Sequence, residues 1–311
     1  MHRCTRPPTE RQSRFRIANW RDRQQENLVR STPLALTGPA AAAAYRLDGF
    51  RDLDWPLRWC GPRSGSHTNE AVRTSRWKEP VLIGEVHVAP IELVLRHLGN
   101  HPEDLRVDST TPEQRIELAL EHALRDGMVS LDALDVRGAR SKGDALLRLA
   151  LQLRRDEPPT ESYAETRADQ FLRSLGYWCW RQVPLVGANH RVDFVLPARP
   201  SPKRRPRPVP FRPGDGLIIE IDSREFHERA FERDRARQTN YDRLGYRWVA
   251  FTPNQIERSP LLVAQTIEAV RESGRRNYGP FHRPQRRFPG RNMGRNPVAG
   301  DETPVGRRSP T

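Results

Sequence analysis

The chain has 311 residues, room for two domains of ordinary size, and its 36% hydrophobic content is thin for a core running through all of it. A formal net charge of +14 makes a polyanion the expected partner, because each Lys or Arg that neutralises a phosphate releases a counterion; the alternative is that basic tails carry the excess. Its apolar runs are too short or interrupted for a bilayer, the Arg-rich start lacks a signal-peptide apolar stretch, and Cys4, Cys60 and Cys179 show neither CxxC spacing nor a paired His, so we expect a soluble, cytoplasmic protein without a disulfide framework or zinc site.

Residues 1–31 mix Arg, Gln and Glu with little apolar periodicity and are expected to form a disordered basic arm. Residues 32–157 are expected to form a mixed α/β domain, mostly helical toward its end. Short strands are predicted at Val81–Ile83 and Val86–Val88, then a helix opening at Pro90 with Ile91, Leu93, Val94 and Leu98 on one face. Thr111-Pro112-Glu113-Gln114 supplies an N-cap, a first-turn proline and a capping-box glutamine for a helix to Gly127, and a third helix is predicted from Ser141 to Arg154. Asp156-Glu157-Pro158-Pro159 breaks the helical pattern and marks the boundary.

Residues 158–275 read as helix, strand, strand, basic loop, strand, helix, strand, helix. The first helix places Ala164, Ala168, Phe171, Leu172 and Leu175 on one face and stops at Gly176. Trp178 to Leu185 and Arg191 to Leu196 form an expected antiparallel pair, with Cys179 a buried strand thiol. Leu217 to Asp222 is the clearest strand, followed by a charged helix from Glu228 to Leu244, a strand from Tyr246 to Phe251 and one amphipathic helix from Asn254 to Ser273. Residues 276–311, rich in Arg, Gly, Pro and Asn, are expected to form a disordered basic tail.

In Leu217-Ile218-Ile219-Glu220-Ile221-Asp222 the side-chain period of two puts Glu220 and Asp222 on one face. Asp193 stands alone among apolar residues in Val192-Asp193-Phe194-Val195, where an uncompensated charge would cost several kcal/mol. Acids on adjacent strands repel unless a cation neutralises them or a proton is shared, and an all-oxygen ligand set favours Mg2+ or Mn2+.

These elements, with Arg181-Gln182-Val183-Pro184, Val192-Asp193-Phe194-Val195, Ile219-Glu220-Ile221-Asp222, His227 and Leu244-Gly245-Tyr246-Arg247, resemble the PD-(D/E)XK restriction-endonuclease-like superfamily, and within it the bacterial family related to very-short-patch-repair endonucleases. The region from Thr37-Gly38-Pro39-Ala40 to Leu47 and the segment 76–98 resemble AbiEi-type antitoxins, though without an evident winged helix. The resemblance implies an α-β-β-β-α-β-α nuclease-like domain with a mixed sheet over 158–275, after an antitoxin-like domain over 32–157. It implies a Mg2+- or Mn2+-dependent DNA endonuclease, or alternatively a non-catalytic DNA-binding or antitoxin-like regulator with a toxin or defence-system partner. Asp193 and Glu220 would hold the metal with the carbonyl of Ile221, Glu165 would approach from the first helix, and Gln182 would lie near the metal. Asp222 stands where many members carry a lysine and would be a further ligand. The only lysines are Lys78, Lys142 and Lys203, none near this strand. His227, just past it, is a candidate proton donor or base.

Simpler readings stand beside these. Glu165 follows Ser162 by three residues and completes a capping box; Asp193 pairs with Arg181 or Arg191; Gln182 satisfies backbone groups between strands; His227 only starts a helix. Arg199, Lys203, Arg204, Arg205, Arg207 and Arg212, set among prolines between the Asp193 and Glu220 strands, are expected to bind nucleic-acid phosphates, or else to form a solvated linker.

Overall fold

The structure, a computed structural model, describes residues 34–51, 55–62, 72–74, 78–84, 86–134, 141–154, 157–198, 210–222 and 228–278. They belong to one compact unit that ends at Pro280. The expected basic arm, the tail beyond Tyr278, His227 and the loop cations Arg199, Lys203, Arg204, Arg205 and Arg207 lie outside the described residues.

The fold is mixed α/β, with eight α-helices and two mixed sheets among the described residues. In the first sheet the order is β3-β2-β1-β5-β4, with β1 Ala35–Thr37, β2 Arg58–Pro62, β3 Val72–Thr74, β4 Val81–Ile83 and β5 Val86–Val88. Strands β1 and β5 run parallel, as do β2 and β3, while β1 and β2 are antiparallel. Helices α1 (Gly38–Ala44), α2 (Ile91–Leu98), α3 (Pro112–Arg125) and α4 (Lys142–Arg154) complete this region. Its core joins Leu36, Val88, Val94, Leu98, Ile116, Leu120 and Leu147. Strands β1, β2 and β3 were not legible in the sequence: β1 and β3 have three residues each, and β2 contains both a glycine and a proline, which depress strand propensity.

In the second sheet the order is β6-β7-β8-β9: β6 Trp180–Pro184, β7 Arg191–Pro197, β8 Gly216–Ile221 and β9 Arg247–Phe251. Strands β6, β7 and β8 are antiparallel in turn, and β8 and β9 are parallel. On one face Phe194, Leu196, Leu217, Ile219, Ile221 and Phe251 pack with Ala168 and Leu172 of α5 (Tyr163–Ser174), Ile256 of α7 (Pro253–Arg258) and Val263 and Ile267 of α8 (Pro260–Tyr278). On the other, Val183, Val192, Val195 and Ile218 pack with Tyr241 of α6 (Glu228–Leu244).

Where one helix is predicted from Asn254 to Ser273, the structure has two, broken at Ser259-Pro260. Pro260 lacks the N–H that would continue α7, and its ring biases Ser259 away from helical backbone, so the chain restarts with proline at the first turn. Helix α8 continues to Tyr278, beyond Ser273 and into the segment expected as tail. Among the described residues no helix is long and apolar enough to cross a membrane.

Candidate functional site

The middle strands of the second sheet part company at two acids. Pairing of β7 with β8 runs from Pro197↔Gly216 to Phe194↔Ile219, and beyond that point side chains take over from the ladder. The N–H of Asp193 donates to Oε2 of Glu220 (3.2 Å), and the N–H of Ile221 donates to Oδ2 of Asp193 (2.8 Å). Each carboxylate thus accepts a backbone hydrogen bond from the opposite strand, which brings the two acids together.

The neighbouring pair of strands is distorted at the same level. Gln182, opposite Asp193 between the pairs Arg181↔Phe194 and Val183↔Val192, has φ +50°, a left-handed conformation rare outside glycine. Val192 and Val195 pack on the α6 side while Phe194 packs on the other, so the alternation of β7 slips at Asp193. The amide Nε2 of Gln182 donates to Oε2 of Glu165 (2.8 Å), which also accepts the N–H of Glu161 (2.8 Å). Ser162 accepts the N–H of Glu165 through Oγ (3.1 Å) and donates its hydroxyl to Oε1 of Glu165 (3.0 Å). Glu165 therefore ties down the start of α5, taking the N–H of Glu161 rather than that of the N-cap Ser162 that a full capping box would use, and is joined through Gln182 to the sheet.

These acids are costly to ionise. Burial first, and the nearby charge of Asp193 second, push the Glu165 carboxyl up to about 7. Asp193 is raised by burial and then by the negative charge of Glu220, and burial raises Glu220 despite hydrogen bonds that favour its ionised form. Both shifts favour a pair that keeps a proton over one with both acids ionised.

The sequence reading missed two partners of Glu220, Tyr241 and Arg237, and a third residue, His190, that reaches it through Tyr241. Tyr241, fully buried on α6, donates its hydroxyl to Oε1 of Glu220, and burial together with that carboxylate raises its phenol above the ordinary range. His190 Nε2 lies 2.9 Å from the Tyr241 hydroxyl oxygen. With the tyrosine proton committed to Glu220, Nε2–H must be the donor, and burial and then Arg237 lower the imidazole so that it is neutral. Arg237 Nη1 lies 3.9 Å from Oε1 of Glu220. In sequence Tyr241 is one aromatic in a charged helix, and only the tertiary fold tells it from an ordinary core residue.

Asp222 follows the end of β8, half-buried, with its N–H donating to the carbonyl of Phe251 (2.9 Å). Arg181 and Arg191, the alternative partners for Asp193, form ion pairs elsewhere: Arg181 with Glu121 (2.7 Å) and Asp169 (2.6 Å), Arg191 with Glu161. Arg212, of the predicted basic loop, donates its N–H to Asp215 (3.1 Å). Among the described residues no three His, Cys, Asp or Glu side chains are arranged as a ready ligand set. The Asp193–Glu220 pair nevertheless suits a hard divalent ion: its donors are all oxygen, a cation could replace the shared proton, and Mg2+ characteristically takes one or two carboxylates and completes its shell with water and phosphate. Comparison of the chain with protein-family models, curated proteins and solved structures returned no match.

Proposed function

We propose that the chain is a metal-dependent phosphodiesterase acting on DNA, with residues 158–275 arranged as a PD-(D/E)XK nuclease and residues 32–157 as an AbiEi-like region that would meet a toxin or defence-system partner. The observation that carries the catalytic reading is the Asp193–Glu220 pair, two acids held from opposite strands where the sheet opens, each accepting a backbone N–H of the other strand and each raised by burial. Buried acids set against each other without a cation destabilise a fold, and this arrangement is the expected one for residues that work when a divalent ion is bound.

Asp193 and Glu220 would hold Mg2+ or Mn2+, with Asp222 as a candidate further ligand. Bound there, the ion would acidify a water and offset charge on the phosphate. Glu165, titrating near 7, is suited to take the proton of the attacking water, and Gln182 and the Glu161 N–H keep its carboxylate in place. In the hydrolysis the water oxygen bonds to phosphorus, one phosphorus–oxygen ester bond breaks, the water proton passes to Glu165, and the departing oxygen is protonated from solvent or by His227. The basic composition of the chain suits a polyanionic substrate.

One observation favours the second reading, a non-hydrolytic DNA-binding protein: both oxygens of Glu220 already have donors, in Tyr241 and the Asp193 N–H. The test is plasmid and single-stranded DNA incubated with the protein and Mn2+, beside Asp193→Ala. Metal-dependent nicking that the substitution abolishes supports the nuclease. DNA binding with neither nicking nor Mn2+ uptake supports the second reading.

A further inference from the structure

An open groove of about 530 Å3 lies between the turn joining β6 to β7 and the C-terminal half of α6. Its polar lining consists of Asn189, His190, Arg237, Asn240 and Arg243, with no acid among the lining residues. Gly187 lets the turn come close: it has φ +79°, and a Cβ there would sit 3.1 Å from a methyl of Leu244. Arg237, Asn240 and Arg243 follow at intervals of three along α6 and so share a side of the helix, where Arg243 donates to the Asn240 side-chain oxygen (2.8 Å). Arg237 and Arg243 are exposed.

The groove is tied to the acid pair by two routes. His190 on its wall bonds to Tyr241, which bonds to Glu220, and Arg237 reaches to 3.9 Å from the same carboxylate. A groove lined by two arginines, two asparagines and a histidine, with no acid, has the lining of an anion site. We propose that this groove seats a phosphate of a DNA strand, gripped by Arg237 and Arg243, and that Arg237 supplies beside Glu220 the positive charge that a lysine at position 222 would otherwise provide. The proposal rests on the nuclease reading for the role of that charge, but the phosphate seat itself does not require cleavage. Neither lysine among the described residues can substitute: Lys78 pairs with Glu92 and Lys142 begins α4, both in the first region.

The test is equilibrium binding of a fluorescently labelled DNA duplex in EDTA, where no metal-dependent cleavage can occur, for the wild type, Arg237→Gln, Arg243→Gln and the double variant. Each single substitution should weaken binding about three- to tenfold and make the salt dependence shallower by about one counterion, with the double variant losing about twice the slope. Both arginines are exposed, so melting curves should match the wild type; should Arg237→Gln misfold, Arg243→Gln alone decides. Unchanged affinity and slope in the double variant, or no DNA binding by the wild type, would overturn the proposal. If the variants bind more weakly as expected while the wild type never nicks DNA with Mn2+, the nuclease reading falls and the groove stands.

Discussion

Replacing Asp193 by Asn removes one of two facing negative charges while keeping an oxygen that can accept the Ile221 N–H. The metal-free variant should therefore melt higher than the wild type at alkaline pH, where the pair gives up its proton, and should gain nothing from Mn2+. Thermal melting with and without metal reads both effects; a lower melting point in EDTA at that pH would argue against repulsion at this site. Glu165 makes a separate pH prediction. Its carboxyl is raised from 4.5 to about 7, so the folded protein keeps a proton that the unfolded chain releases between those values. Its contribution to metal-free stability therefore falls as pH rises through that window, and Glu165→Gln should flatten that part of the curve. Asp193, Glu220 and Glu165 could be singled out because an acid in an apolar strand, or three residues after an N-cap serine, is visible in one dimension, whereas Gln182 was singled out only through the resemblance. Tyr241, His190 and Arg237 were not, because their role depends on α6 and the β6–β7 turn meeting over Glu220.

Helix caps show how local chemistry places distant groups. Thr111 accepts the Gln114 N–H (3.3 Å), and Gln114 accepts the Thr111 N–H through its side chain (3.0 Å), closing the capping box read from the sequence. Thr111→Ala should cost about 1 kcal/mol in chemical denaturation, and a cost near zero would mean that packing alone holds the start of α3. That helix carries Glu117 and Glu121, so its anchoring matters beyond its own turns. Capped or strongly periodic elements, such as α3, α5 and β8, were readable because their signals are local. The break at Ser259-Pro260 carried a local signal too, but the apolar periodicity running through it favoured a single helix. The short strands β1, β2 and β3 lacked such signals and form by pairing across the sheet.

A buried ionic network joins the helices of the first region to the second sheet. Glu121 of α3 accepts from Arg154 of α4 (2.9 Å) and Arg181 of β6 (2.7 Å) through one oxygen, and from the Thr160 N–H (3.2 Å) through the other. Arg181 also binds Asp169 (2.6 Å), while Glu117 accepts from Arg173 and Gln170 of α5. Thr160 adjoins Glu161 and Arg181 adjoins Gln182, and those two neighbours are the donors to Oε2 of Glu165, so Glu121 anchors the chain next to both. Glu121→Leu would leave two buried guanidinium groups short of a carboxylate and should destabilise the protein by about 3–5 kcal/mol. Denaturant unfolding measures this, and a loss below about 1 kcal/mol would show that the network can re-pair. For the same reason residues 158–278 expressed alone should melt well below the full chain. The Asp156–Pro159 break was readable in sequence; the network bridging it was not, because partners such as Glu121 and Arg181 lie 60 residues apart.

The central proposal is that Asp193 and Glu220 bind a divalent cation in exchange for a proton. Calorimetric titration of the full chain with Mn2+ at about pH 7, in buffers of different ionisation enthalpy, tests it most directly, because an ion entering the pair must release the shared proton. The account predicts saturable binding with release of about one proton, lost in Asp193→Ala. No binding heat in any buffer together with an unchanged melting point, or binding that survives Asp193→Ala undiminished, would contradict it.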